Sequence, residues 1–485
     1  MNLKRSWPRV RASRRVLIAG IMSIIAVNAS AQVNWLDPLQ YQKPTFVPVS
    51  MPDEASTPYK YYVDFQNGSG TSCTQANPCN SLNNVLGKPG TTGGPAYIYL
   101  RGTGNIGFYL TKSLYGSAGN EVVIKPWDST LVTLNGQNIF EPDSTHTLSY
   151  IIIDGGPNLG ISITAPNSQF VAAISFNNAN DNDRMSHITV YRTRLSTGTA
   201  AGELVSIQGV TSYLSFINNE FFNSNPNDGQ QHNIYPSAYN PNLANGPGSM
   251  THLYFKNNII RDIGGDGIEF NIRTSNSAYQ MDDVVVEGNA FHNVGKSTCS
   301  SSWNCRPAVT MACNNSPCRT RDVVIRNNLI WDTGEGALRA WLGTPLFAHN
   351  TVYNWGQGGT GYSWAVYGYQ SDGSATIQDN IFYSSASKNP FDGSRFTASN
   401  NLCASGKSCG TTSQVWTANT VLSTDPNNAN FMRLASSSEA RNNGLAISTI
   451  ATDYAGKPRP PYDIGAFIYD AGGLSPPSNV RVVSP

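Results

Sequence analysis

The chain has 485 residues, of which 13% are charged and 39% hydrophobic, with 44 glycines. That composition supports a large folded core and excludes global disorder or a charged coiled coil. The first 31 residues carry six of the 32 Lys and Arg residues and no acid; the remainder has 26 basic against 31 acidic residues, a net charge of −5, which excludes a generic nucleic-acid binder.

Lys4, Arg5, Arg9, Arg11, Arg14 and Arg15 precede an apolar run from Val16 to Val27, and Ala29-Ser30-Ala31 follows. This pattern reads as a signal peptide over residues 1–31, with an apolar run too short to span a bilayer comfortably. Export makes the mature chain secreted, periplasmic or cell-surface, with no transmembrane helix left after cleavage. Residues 32–58 are rich in Pro, Ser and Gln and read as a leader lying on the surface. Tyr61-Tyr62-Val63-Asp64-Phe65 and a helix candidate over Asn80–Leu86 read as a cap on the first turn of a solenoid. The eight cysteines fall into close pairs, so four local disulfides are expected: Cys73–Cys79, Cys299–Cys305, Cys313–Cys318 and Cys403–Cys409. The middle four cysteines also allow other pairings.

A repeat occupies the middle of the chain. The segments FINNEFFN, FKNNIIRD, VEGNAFHN, IRNNLIWD, FAHNTVYN, IQDNIFYS and TASNNLCA align on Asn219, Asn258, Asn289, Asn328, Asn350, Asn380 and Asn401. Their spacings are 39, 31, 39, 22, 30 and 21, a base period near 22 with insertions of varying length. Thr193 holds the Asn position in an earlier copy. Apolar residues alternate with polar ones over four to six positions, which reads as short strands rather than helices. A further strand follows each Asn segment: 232–237, 267–272, 308–313, 337–342 and 365–370. The expected fold is all-β: a right-handed parallel β-helix over residues 59–470, with an N-terminal cap helix, disulfide-stapled loops and a linker tail over 471–485. The aligned asparagines are expected to stack as an internal amide ladder.

The opening YYVDFQNGSGTSCTQANPCNSLNNVL (61–86), the NN-x-I rungs and the closing stretch from Thr424-Asp425-Pro426 through Asn430-Phe431-Met432-Arg433-Leu434 to DIGAFIY (463–469) carry a resemblance. They resemble the secreted bacterial right-handed parallel β-helix proteins of the pectate-lyase-like superfamily. The resemblance implies the fold; the superfamily contains lyases, glycosidases, epimerases and binders, so activity must come from the residues. The chain lacks a His-Gly pair and an Arg-x-Pro-x-x-Arg motif, which sets it apart from polygalacturonases and calcium-dependent pectate lyases.

Aligning the later strands with Ile234, Ile268, Val309, Leu338 and Val366 inward places Tyr235, Glu269, Thr310, Arg339 and Tyr367 in one outward column. Ser237, Asn271, Ala312, Trp341 and Tyr369 stand two residues further on. Arg339, Glu269, Tyr235, Tyr367 and His232 are the catalytic candidates; Arg273, Asn271, Trp341 and Tyr369 are the substrate-binding ones. Rings offer apolar faces to sugar C–H groups, and arginine clamps carboxylates. The reading is a polysaccharide lyase cleaving a uronate-containing polymer by β-elimination, acting as a monomer on a polysaccharide substrate. The alternatives are a glycoside hydrolase using Glu269 with Asp266 or Glu335, and a non-catalytic glycan-binding or adhesin scaffold. Calcium is the one cofactor in view, through Asp181/Asp183 or Asp282/Asp283. Replacing Arg339 by Ala is expected to lower turnover by orders of magnitude while leaving thermal unfolding nearly unchanged.

Overall fold

The computed structural model describes residue 44 and residues 46–470, apart from 106–107, 110–111, 137, 143–144, 166–171, 179–183, 198–202, 225–231, 239–248, 273–279, 296–305, 314–318, 342, 359–363, 369–372, 385–387, 393–394 and 461. The expected signal peptide, the tail over 471–485, Asp181, Asp183, Arg273, Tyr369, Cys299, Cys305 and Cys318 lie outside the described residues. Each rung holds strands on either side of its Asn and a third strand beyond. One rung comprises Ser249–Lys256, Ile259–Ile263 and Asp266–Ile272. Stacked rungs give three parallel sheets among the described residues: sheet I of 13 strands, sheet II of 12 and sheet III of nine. This is the expected parallel β-helix. No helix among the described residues is long and apolar enough to cross a membrane.

The ladder forms as expected. Asn219 Nδ2 donates to Asn258 Oδ1 at 3.1 Å, and the same bond repeats through Asn289, Asn328, Asn350, Asn380 and Asn401 at 2.9–3.0 Å. Each Oδ1 also accepts the backbone N–H of the rung before, and each Nδ2 also reaches a sheet I carbonyl, as Asn328 Nδ2 does at Val286 O (2.9 Å). Thr193 caps the series, its hydroxyl bonding Asn219 Oδ1 at 2.9 Å. The residue before each ladder Asn turns the chain from sheet I to sheet II with a left-handed backbone: φ is 56° at Asn218, 53° at Asn327 and 58° at Asp379. Asn, Asp and Gly tolerate that conformation best, so the NN pairs of the sequence encode a turn residue followed by a ladder residue.

The cap differs in detail. Tyr59–Asp64 opens sheet I, and the Cys73–Cys79 disulfide and Leu82, Val85 and Leu86 close over the core. The helix candidate over Asn80–Leu86 is a single 3-10 turn, Leu82–Asn84, capped by the Ser81 side chain. Asn83, Asn84 and Gly87 disfavour a longer helix. The Cys403–Cys409 disulfide is also present; Cys313 is disulfide-bonded, with its expected partner outside the described residues.

The described parts of the leader and of the closing segment lie along the outside, the leader before residue 44 falling outside the described residues. Val49 and Met51 pack on Tyr97, Tyr99 and Tyr191 of sheet I, and Tyr99 donates to Glu54 at 2.7 Å. The closing segment lies along the side of the helix. Phe431, Met432, Leu434, Tyr454, Ile464 and Phe467 cover the outer face of sheet II, against Leu329, Trp331, Ile381 and Leu402. Among the described residues, sheet III is the sheet that neither end covers.

His349, at one of the ladder turns, is fully buried under this closing segment. Burial, with the nearby charge of Arg459, pushes its imidazole down to about 3. A histidine depressed this far contributes full stability above its unfolded value of about 6.5 and loses it as pH falls toward the folded value. Asp379, 3.6 Å away, runs the opposite way: burial raises it to about 6, so its contribution declines as pH rises through that value. Replacing His349 by Asn removes only the first trend. The stability of His349→Asn relative to the parent protein should therefore improve by about 2 kcal/mol between pH 7 and pH 5. Thermal melts across that range check this; parallel profiles would contradict it.

Candidate active site

Sheet III carries the expected register. Ile234 pairs Ile268, Ile268 pairs Val309, Val309 pairs Leu338 and Leu338 pairs Val366. Glu269, Thr310, Arg339 and Tyr367 therefore stand in one column, with Asn271 beside Ala312 in the next. Tyr235, one residue past Ile234, begins the column.

The side chains form two linked groups. At one end His232 Nδ1 lies 2.5 Å from Glu269 Oε2 and 3.6 Å from Asp266 Oδ2. Its ring stacks on Tyr235 with centroids 4.4 Å apart. Glu269 Oε1 accepts from Asn271 Nδ2 at 2.8 Å, and Asp266 Oδ1 accepts the Thr310 hydroxyl. Arg306 approaches Asp266 Oδ2 at 3.3 Å. At the other end Arg339 donates to Glu335 Oε2 at 2.5 Å, and its Nε contacts the Tyr367 hydroxyl. The Arg339 guanidinium lies 4.9 Å from the Trp341 ring centroid.

Electrostatics separate these groups. Burial opposes charge on His232, but the charge of Glu269 and the contacts with Asp266 and Glu269 push its imidazole up to about 10. Burial would raise Asp266; the charge of Arg306, the contact with His232 and the charge of Arg339 instead hold it well below the usual carboxylate range. Burial lifts Glu335 to about 7 despite the opposing charge of Arg339.

The structure thus brings Arg339, Tyr367 and Trp341 together, and separately His232, Tyr235, Glu269 and Asn271. Asp266 and Glu335, weighed from sequence only as hydrolase carboxylates, each hold an arginine. Arg306 and the part played by Thr310 were missed. Asp266 and Glu335 share a signal: both sit between glycines, in Gly265-Asp266-Gly267 and Gly334-Glu335-Gly336. A Cβ at Gly267 would lie 2.5 Å from Ala308 O, and one at Gly336 would lie 2.4 Å from Trp364 O. The rungs are too close there for a side chain, so glycine must follow each acid into the strand.

One expectation changes. Arg339 is only 3% exposed and ion-paired with a wholly buried carboxylate, so its removal cannot leave the fold untouched. Of the calcium candidates within the described residues, Asp282 is held by Arg321 at 2.6 Å, and Asp283 accepts the Tyr254 hydroxyl at 2.5 Å.

No protein-family model matches the sequence, and no curated protein matches it. Among solved structures, pectate lyase Pel9A is similar at TM-score 0.54 and 16% identity, with 86% of this chain and 97% of that one covered. The A-module of a mannuronan C-5 epimerase from Azotobacter vinelandii is similar at TM-score 0.40 and 13% identity, over 73% of this chain and 97% of that one. A rhamnogalacturonan lyase is similar at TM-score 0.34 and 13% identity, over 78% and 97%. Stacked parallel sheets, the amide ladder and the likeness to Pel9A place this chain in the pectate-lyase-like class of parallel β-helix folds.

Proposed function

We propose that the outer face of sheet III binds a uronate-containing sugar chain and cleaves it by β-elimination. The contact between the Arg339 guanidinium and the Tyr367 hydroxyl carries the reading. β-Elimination needs a base for the C5 proton, neutralisation of the neighbouring carboxylate and an acid for the leaving oxygen. The guanidinium fixes the Tyr367 hydroxyl in the column beside Trp341, which suits Tyr367 as the base. Arg306 and Arg339 supply the positive charge for the substrate carboxylate, and Trp341 offers an apolar surface for a pyranose ring. His232 and Tyr235 stand at the leaving-group end. The fold is one that also serves a pectate lyase, in keeping with a carbohydrate-active groove.

One observation favours glycoside hydrolysis as the second reading: Glu335 is lifted to about 7 while Asp266 is held ionised, a division that suits a general acid and its partner carboxylate. The test uses a panel of polygalacturonate, alginate and uronate-containing heteropolymers, read for the ultraviolet absorbance of unsaturated sugar ends and, in parallel, for reducing ends. Tyr367→Phe is expected to lower the rate of unsaturated-end formation by about 100-fold or more, with the folded state retained. Glu335→Gln is expected to keep measurable elimination. Reducing ends without unsaturation, lost in Glu335→Gln, would transfer the assignment to hydrolysis; no cleavage of any polymer would leave a binding scaffold.

A further inference from the structure

We propose that His232, Asp266 and Glu269 form a binding site for a divalent transition-metal ion. The ligand atoms, His232 Nδ1, Asp266 Oδ2 and Glu269 Oε2, lie within 4.8 Å of one another. All three atoms are buried, and His232 Nδ1 faces both carboxylates, at 2.5 Å from Glu269 Oε2 and 3.6 Å from Asp266 Oδ2. In the metal-free chain the protonated imidazole balances the two acids, and a metal ion would take the place of that proton, since ligands bind deprotonated. What points to a metal is the convergence of one imidazole nitrogen and two carboxylate oxygens on one buried point.

The other oxygen of each carboxylate is occupied. Thr310, one rung on, donates to Asp266 Oδ1, and Asn271 donates to Glu269 Oε1 at 2.8 Å. Each carboxylate is thereby turned so that its remaining oxygen faces the imidazole nitrogen. Tyr235, stacked at 4.4 Å, fixes the plane of that ring. Outer partners that orient the ligands in this way are a usual feature of protein metal sites. The acids themselves are fixed by the fold: Asp266 is wholly buried and Glu269 is 4% exposed.

The donor set decides the ion. One imidazole nitrogen and two carboxylate oxygens suit Zn²⁺ or Mn²⁺, and the two acidic charges match a divalent ion. Calcium and magnesium prefer oxygen-only shells, so this site differs from the aspartate pairs considered from sequence. Arg306, at 3.3 Å from Asp266 Oδ2, does not preclude an ion, because a carboxylate oxygen accepts on two lone pairs. Three protein ligands leave coordination positions for water or a sugar oxygen. On the lyase reading, such an ion would add substrate-facing positive charge that Arg306 and Arg339 lend partly to Asp266 and Glu335, leaving Tyr235 as the proton donor at that end. Metal binding itself does not depend on that reading.

The test is calorimetric titration of the chelator-stripped chain with ZnCl₂ and with MnCl₂, with CaCl₂ and MgCl₂ in parallel and thermal melts of each sample. Saturable binding of one transition-metal ion per chain, with a rise in Tm, is expected. His232→Ala and the isosteric Glu269→Gln should abolish it. Thr310→Val, which frees the Asp266 carboxylate to turn, should weaken it about 10- to 100-fold. A folded parent protein that binds neither Zn²⁺ nor Mn²⁺, or only Ca²⁺ or Mg²⁺, overturns the proposal. So does undiminished binding by His232→Ala and Glu269→Gln variants whose circular dichroism matches the parent. Because the readout is binding, absence of lyase activity leaves this result interpretable.

Discussion

Replacing Asn328 by Ala is expected to destabilise the protein by about 4 kcal/mol, far beyond a typical surface substitution. Asn328 is wholly buried near the middle of the ladder. Its Oδ1 accepts both the backbone N–H and the Nδ2 of Asn289, and its Nδ2 donates to Val286 O and Asn350 Oδ1. Truncation leaves the Asn289 N–H and amide and the Val286 carbonyl without these partners in a dry core. Each unsatisfied group costs about 1–3 kcal/mol, partly relieved if a water enters the space. Asp replaces the acceptor but not the donor, so Asn328→Asp should be no better. Chemical denaturation checks the value; a loss below about 1 kcal/mol would mean that rung stacking, not the amide column, holds the turns.

The second large effect is at Arg339. Arg339→Ala should abolish turnover and also destabilise the fold by about 3 kcal/mol at neutral pH, because Glu335 remains buried without its cation. The pH dependence identifies the cause. Burial already lifts Glu335 to about 7. A carboxyl raised above its unfolded value contributes its stability at low pH and loses it as pH rises through the folded value. Without Arg339 that loss grows, so the deficit of Arg339→Ala should be small at pH 5 and larger at pH 8. Glu335→Gln placed on the same background should restore much of the stability and none of the activity. Arg339→Lys keeps a charge without the fork that reaches both Glu335 and Tyr367, and should recover stability better than turnover. Thermal melts and initial rates on the four proteins separate these outcomes; a deficit independent of pH would place the cost in lost packing instead.

The ladder was legible because the fold repeats one demand at one position: each turn needs a left-handed residue and then an amide, and both are written as NN, HN, DN or GN. The register of sheet III was legible for a related reason, since a slip of one residue would have put Glu269 and Arg339 into the core. Asp266, which opens its strand, and Glu335, which precedes one, were read only as alternative hydrolase carboxylates. Alternation fixes which way a mid-strand side chain points, whereas direction at an entrance depends on the approach of the next rung, which only the flanking glycines betrayed. Arg306 follows a long insertion, where no period relates it to Asp266. The closing segment carried only a resemblance, and its apolar residues match the outer face of sheet II, which sequence spacing alone does not reveal. The same covering at sheets I and II leaves sheet III, among the described residues, as the sheet on which the proposed groove is placed.

The chemistry of the product tests the central claim most directly. The parent protein is incubated with a cleaved uronate polymer in oxygen-labelled heavy water, and the oligosaccharides are weighed by mass spectrometry. Elimination takes up no water at the broken bond, so the account predicts unsaturated products without label from cleavage. Products that are saturated and carry one labelled oxygen per cleavage would contradict it.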